Sequence, residues 1–386
     1  MRILVLNGGS SSIKFSLYET EPNADPKLVE DGALSNIGTP EQNLEAGGKT
    51  LPTTSAQPIQ QVLDAIPSDE PVDAVGYRVV HPGPRIHDHA RITPELLDDL
   101  EHAVAFAPLH DPVVIAIIQA GMARYPSCEH YACFDTIFHQ TMPAEATTYP
   151  IPLGFEGQGV RRYGFHGLSC ESVVYQLRAT PGLPFPHRML IAHLGSGCSV
   201  SALVGGKSVD NSMGLTPTGG VVMGTRPGDL DPGLVFYLLR QPGATIDSVE
   251  QMLNHDAGLK ALGGVNDMKK LRESAVRDAK AFLAIQIFLQ SIRRSLGGMV
   301  ALYGLDVLVF TGGIGEHDPK TRWALGNGLR GTGLEEPQID FAANELPIKG
   351  LRKISDEDSL YEVFVVPAEE DLMIAHHVQR MANRDV

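Results

Sequence analysis

Three glycine-rich turns, each following an apolar run, have the composition of phosphate cradles: "NGGSSS" (7–12), "HLGSGCS" (193–199) and "TGGIGE" (311–316). Glycines let backbone N–H groups approach an anion without an obstructing Cβ. Ionisable residues sit near these turns or in similar settings. Lys14 follows the first turn, Arg78 interrupts the apolar run "GYRVVHPG", and Arg226 lies in the loop "VVMGTRPGDLDPG". Each arginine alone is more often a structural ion-pair partner. Two aimed at one place would suit a carboxylate or a transferring phosphoryl group, which guanidinium binds bidentately. Asp135 ends the short apolar run "HYACFD", and His166 stands between an aromatic residue and a glycine in "RRYGFHGLS". His166, His110 and His193 serve equally well as capping or packing residues; His81 and His139 read as structural.

The elements that must position these residues follow from periodicity. In "ILVLNGGSSSIKFSLYE" (3–19), Ile13, Phe15 and Leu17 alternate with Lys14, Ser16 and Tyr18. That is strand periodicity, so the segment is strand, turn, strand, with Lys14 on the polar face. A P-loop needs a glycine before the lysine and a helix after it; neither is present. "MLIAHLGSGCSVSALVGG" (189–206) repeats the strand–turn–strand pattern, which suggests duplicated domains facing each other. Residues 20–60 are polar and read as irregular or edge structure. Thr93 caps a helix that Pro94 opens, and Asp111-Pro112 starts another. In 278–304 the apolar stripe Phe282, Ile285, Phe288, Ile292 and Leu296 predicts a long amphipathic helix. "DVLVFTGGIGEHDP" (306–319) reads as a buried strand, a glycine turn and a helix beginning at Asp318-Pro319. The last helix is expected over 369–382, with acids in its first turn.

Bulk composition narrows the function classes. The 386 residues suggest two to three domains, and 43% hydrophobic content suffices for a sizeable core. The net charge of −15, from 31 basic and 46 acidic residues, argues against a nucleic-acid binder. It does not exclude small anions held by a few arginines. The amino terminus enters a strand at once without a signal-peptide pattern, and no apolar stretch approaches the ~20 residues that span a bilayer. Four cysteines are too few for a disulfide scaffold. A cytoplasmic protein is expected. "CEHYAC" offers Cys128, His130 and Cys133, yet lacks a fourth ligand and the recurring pairs of a zinc site. It reads as buried strand.

Taken in order, "NGGSSSIKF", "GYRVVHPG", "APLHDP", "FDTIFHQTMP", "RRYGFHGLS", "HLGSGCSVSA", "SMGLTPTGGVVMGTRPGDLDPG", "FTGGIGE" and "VPAEEDLMIA" resemble the blocks of the acetate kinase family of short-chain carboxylate kinases. The resemblance covers nearly the whole chain. It implies an α/β fold of the actin/hexokinase/Hsp70 type. Two ribonuclease-H-like domains are expected, 1–148 plus 371–386 and 149–370, with the active site in the cleft between them, usually in a homodimer. The implied reaction is reversible phosphoryl transfer from ATP to acetate, giving acetyl phosphate and ADP, with Mg²⁺ or alternatively Mn²⁺. By matching position, Asn7 and Glu370 would hold the metal. Ser10, Ser12 and Lys14 would face the phosphates. Arg78 would bind the substrate carboxylate. Val80, Leu109, Phe165 and Pro217 would line the pocket for its alkyl end. Asp135, His166 and Arg226 would be catalytic. The nucleotide-binding turns would comprise His193, Leu194, Gly195, Ser196 and Gly197, then Gly313, Ile314, Gly315, Glu316 and His317. Asp267, Met268 and Lys269 would contact the nucleoside.

Some positions depart from the family pattern. Tyr77 and Pro82 replace histidine and glycine beside Arg78, and Cys170 replaces a histidine. Ser196 and His317 replace asparagines, and Lys269 replaces an arginine. These changes leave open acetate against propionate or butyrate as acceptor, and ATP against another nucleotide or pyrophosphate as donor. An actin- or Hsp70-like ATPase switch is the alternative outside metabolic transfer. It would need neither two arginines nor a small apolar pocket.

Overall fold

The computed structural model describes residues 1–9, 11–21, 24–67, 71–104, 111–152, 154–329 and 339–384. The chain forms two units, Met1–Ile137 with Glu369–Val386, and Phe138–Ala368.

The first unit is built on strand Arg2–Gly8, whose side chains are nearly all buried. It pairs antiparallel with Ser12–Glu19, which pairs antiparallel with Lys27–Ser35. On its other side it pairs parallel with Ala74–Val79, and that strand pairs parallel with Glu129–Phe134. In chain order the five run 3-2-1-4-5, the ribonuclease-H-like arrangement. The short strands Asn43–Ala46, Lys49–Leu51 and Ala90–Arg91 extend the sheet at its edges.

The second unit repeats this order. Strand Arg188–Leu194 pairs antiparallel with Cys198–Val204, which pairs with Lys207–Asn211. On the other side it runs parallel to Val307–Thr311, which runs parallel to Glu362–Val365. The repeated hairpin seen in the sequence is thus the first element of a repeated topology. In open α/β sheets, sites collect beyond the carboxyl ends of parallel strands. Asn7, Arg78 and Asp135 stand at such ends in the first unit, and His193 and Thr311 in the second.

Helices cover the sheets as strand alternation dictates. Tyr77 points towards helix Asp111–Arg124, where a Cβ on Gly121 would lie 2.2 Å from the Tyr77 hydroxyl. Gly76 faces helix Glu370–Ala382 instead, and there a Cβ would stand 2.7 Å from Ile374 and Val378. In the second unit, helix Gly167–Ala179 packs Cys170, Val173, Val174 and Leu177 with Met189, Ile191 and Val309.

Most helix signals take the expected form. Thr93 Oγ1 accepts from Leu96 N at 3.2 Å, and Asp318 caps helix Pro319–Gly326. Helix Ala279–Tyr303 buries Ile285, Phe288, Ile292 and Leu296. Phe282 departs from the expected stripe: Ala281 takes the buried position in that turn and Phe282 is exposed. "GGIGEH" is also not a plain turn. Gly312–His317 is itself a short helix, entered directly from the strand because Gly312 adopts φ 74°. A Cβ there would stand 2.9 Å from the Leu194 carbonyl oxygen.

Candidate functional site

In the first unit the side chains form one charged group. Asn7 ends the central strand directly opposite Lys14 across the hairpin. Its Nδ2 donates to Asp371 Oδ1 at 2.8 Å and to Glu370 Oε2 at 3.3 Å. Ser16 Oγ donates to Asp371 Oδ2 at 2.8 Å. Arg78 Nη2 lies 2.5 Å from Asp135 Oδ2, and its Nε is 3.7 Å from Glu370 Oε2. Desolvation works against the Arg78 charge, but Asp135 and Glu370 together outweigh it, so the guanidinium stays firmly protonated. Burial pushes the Asp135 carboxyl up to about 6; Arg78 opposes that rise and Glu370 adds to it. Burial likewise raises Asp371, against the hydrogen bonds from Asn7 and Ser16. The polar face of strand Ser12–Glu19 is therefore only partly open: Lys14 is exposed, whereas Ser16 and Tyr18 are buried.

The first unit also decides two sequence questions. Tyr77 lies on the sheet face opposite Arg78 and hydrogen-bonds His130 Nδ1 at 2.8 Å. Alternation thus turns its ring away from the Arg78 group. His130 Nε2 is hydrogen-bonded to the Tyr125 carbonyl at 3.1 Å and Cys128 Sγ to the Val72 carbonyl, so "CEHYAC" is structural, as expected.

In the second unit, His166 and His193 stack with ring centroids 4.0 Å apart and planes 18° apart. His166 is held at φ 58°, a left-handed conformation costly for a side chain with a Cβ, at the start of helix Gly167–Ala179. Arg226 Nη1 donates to the Pro217 carbonyl at 2.6 Å. A Cβ built on Gly197 would stand 2.7 Å from Arg226 Nη2 and 3.1 Å from His166 Nε2. The glycine marks the point on which both cationic or donor side chains converge. A Cβ on Gly195 would lie 3.8 Å from His193 Nε2 and 3.9 Å from Gly313 N, so the second and third glycine turns meet. Among the described residues nothing stands within 4 Å of the Cβ position of Gly313.

Other sequence candidates are engaged differently. Asp267 caps helix Met268–Ser274 through Lys270 N at 3.0 Å; Met268 is buried and Lys269 exposed. Glu316 turns its carboxylate inward, where Oε1 accepts from Gly312 N and Ala368 N, both at 3.0 Å. Ser196 and His317 are exposed, and Leu194 is buried. Val80 is buried in the first unit, and Phe165 and Pro217 in the second. Ser10 and Leu109 lie outside the described residues.

Three residues of these groups were not singled out from sequence. Asp371 was visible only as part of an acidic first turn. Ser199 faces His193 in the hairpin register, and Ser169 lies one turn after His166. Those spacings were the available signals.

Comparison with known proteins gives the group its chemistry. The profile of the acetokinase family matches residues 2–376. The chain belongs to the acetokinase family. It is 40% identical to an acetate kinase of Rhodopseudomonas palustris, over 99% of this chain and 98% of that protein. It is 37% identical to an acetate kinase of Corynebacterium jeikeium, over 99% of each. Its structure superposes on the Porphyromonas gingivalis acetate kinase with a TM-score of 0.83 at 32% identity, covering 99% of both chains. A propionate kinase from Francisella tularensis gives 0.85 at 33% identity, covering 98% of this chain and 99% of the other. As an acetokinase-family member, the chain is a phosphotransferase with a carboxylate acceptor, and it shares the fold of the solved acetate kinase. Family chemistry calls for ATP as co-substrate and for a metal ion.

Proposed function

We propose that the chain transfers the γ-phosphoryl group of ATP to acetate by direct in-line displacement, giving acetyl phosphate and ADP. The convergence of Arg226 and His166 at Gly197 carries this reading. A carboxylate has a pKa near ~4, so it is already an ionised nucleophile and needs no strong base. The obstacle is repulsion between that carboxylate and a polyphosphate. Arg78 binds the incoming carboxylate, and Asp135 orients Arg78 rather than removing a proton. One acetate oxygen bonds to the γ-phosphorus as the bond to the β–γ bridging oxygen breaks. Arg226 and His166 stabilise charge on the equatorial oxygens. Lys14 and the glycine turns hold the remaining phosphates.

Asn7 and Glu370 would hold Mg²⁺, which when bound offsets polyphosphate charge. The donor set supports this fit. Its ligands are all oxygen, and Asp135, Glu370 and Asp371 outnumber Arg78 and Lys14. Hard oxygen donors suit Mg²⁺ or Mn²⁺.

A homodimer is part of the same reading. Helix Pro232–Leu239 buries none of its residues, yet Leu234, Phe236 and Tyr237 are 41%, 55% and 61% exposed. An apolar helix left so open suits a second copy of the chain. A cytoplasmic location agrees with four free cysteines. Among the described residues no helix is long and apolar enough to cross a membrane.

The test is a hydroxamate assay for acyl phosphate over a matrix of carboxylates and phosphoryl donors. Acetate with ATP is expected to give the highest kcat/KM. Propionate, suggested by similarity to the Francisella tularensis propionate kinase, is the acceptor to rank against it. Absence of acyl phosphate with every pair would overturn the reading. Transfer from a chiral γ-phosphate is expected to invert configuration; retention would exclude a single displacement.

A further inference from the structure

His166 and His193 are braced by a crossed pair of buried hydroxyls. His166, at the start of helix Gly167–Ala179, is hydrogen-bonded through Nδ1 to Ser199 Oγ on strand Cys198–Val204, at 2.9 Å. His193, on the neighbouring strand, is hydrogen-bonded through Nδ1 to Ser169 Oγ on the helix, at 2.8 Å. His193 is thus held from the helix that follows His166, and His166 from the strand paired with that of His193. Both serines are fully buried.

We propose that Ser199 and Ser169 are positioning residues that hold His166 and His193 as neutral Nε2–H tautomers, so that His166 serves phosphoryl transfer as a hydrogen-bond donor while Arg226 supplies the charge. This rests on the phosphoryl-transfer reading above. A buried hydroxyl must direct its hydrogen at an acceptor. Among the described residues, the imidazole Nδ1 is the hydrogen-bond partner of each serine Oγ. Donation from Oγ to Nδ1 leaves the ring proton on Nε2. For His166 that atom points at the Gly197 position, beside Arg226 Nη2. The stacking disfavours charge on both rings at once, since two imidazolium rings with centroids 4.0 Å apart would repel strongly.

Long-range ¹H–¹⁵N spectra of histidine-labelled protein test this directly. Wild-type chain is expected to show Nε2–H for both rings at neutral pH. Ser199→Ala should release His166 alone, and Ser169→Ala should release His193 alone. Ser199→Ala is expected to lower kcat by about 10–100-fold, as loss of an orienting partner typically does, with KM values within about twofold. Ser199→Thr, which keeps the hydroxyl, should recover most of the rate. An Nδ1–H tautomer at His166 in the wild-type chain, or unchanged kcat in Ser199→Ala, would overturn the proposal. The spectra need no turnover. A chain that made no acyl phosphate would therefore overturn the proposed function, while the tautomers would still decide the brace.

Discussion

Arg78 and Asp135 meet at two points, with Nη2 2.5 Å from Oδ2 and Nε 3.2 Å from Oδ1. The pair joins the carboxyl ends of neighbouring parallel strands, and the Asp135 amide donates to the Val79 carbonyl at 3.0 Å. Such a two-point contact fixes the plane of the guanidinium as well as its place.

Removing the guanidinium leaves Asp135 buried beside Glu370 without its counter-charge. Arg78→Ala is therefore expected to destabilise the chain by about 3–5 kcal/mol, besides abolishing carboxylate binding. Arg78→Lys keeps the charge and loses the planar fork. It should retain most of the stability while KM for acetate rises at least about tenfold. Denaturant titration and steady-state kinetics on both variants separate the two effects. An Arg78→Ala chain of unchanged stability would contradict the account of the pair.

Arg226 is half-buried, and its Nη1 donates to the Pro217 carbonyl at 2.6 Å. Arg226→Ala is expected to lower turnover by about 100–1,000-fold, since a transition-state contact of this kind is worth ~3–4 kcal/mol. Near-wild-type turnover would remove Arg226 from the mechanism.

Gly197 is where a methyl group would collide with the site without entering the core. Gly197→Ala would press on Arg226 Nη2 and His166 Nε2 from 2.7 and 3.1 Å. Turnover should fall about 100-fold or more, because misplacement by ~1 Å has that effect. The melting temperature should shift by only a few degrees. Full activity would show that the space beside Gly197 is not used in the reaction.

Asp111 opens helix Asp111–Arg124 fully buried, and among the described residues neither carboxyl oxygen has a hydrogen-bond partner. Burial pushes the carboxyl up from 3.8 to about 8; the His81 backbone amide opposes this without reaching hydrogen-bonding geometry. Between those values the folded chain holds a proton that the unfolded chain has released. Stability should accordingly fall as pH rises from about 4 to about 8, by up to ~1.4 kcal/mol per unit. Asp111→Asn cannot ionise and should lose this part of the slope. Urea midpoints at about pH 5 and about pH 8 measure it. An equal loss of stability in both proteins would show that Asp111 is not the titrating group.

Much of this molecule was legible because its signals are local. The hairpins "NGGSSSIK" and "HLGSG", the caps at Thr93 and Asp318, and the 3.6-residue stripe of helix Ala279–Tyr303 all act over a few residues. Backbone sterics and alternation determine such features wherever the chain later goes. Tertiary structure alone decided what meets across long separations. Asp371 reaches Asn7, 364 positions away, because the last helix packs back onto the first strand. Tyr77 is turned from the Arg78 group by the pleat and by helix Asp111–Arg124. Phe282 is left exposed where Ala281 takes the buried place. The crossed serine–histidine brace likewise needs a helix and a hairpin brought together by packing. Residue types could nominate His166 and His193. Only the packing that buries Ser169 and Ser199 against their Nδ1 atoms decides which nitrogen carries the proton.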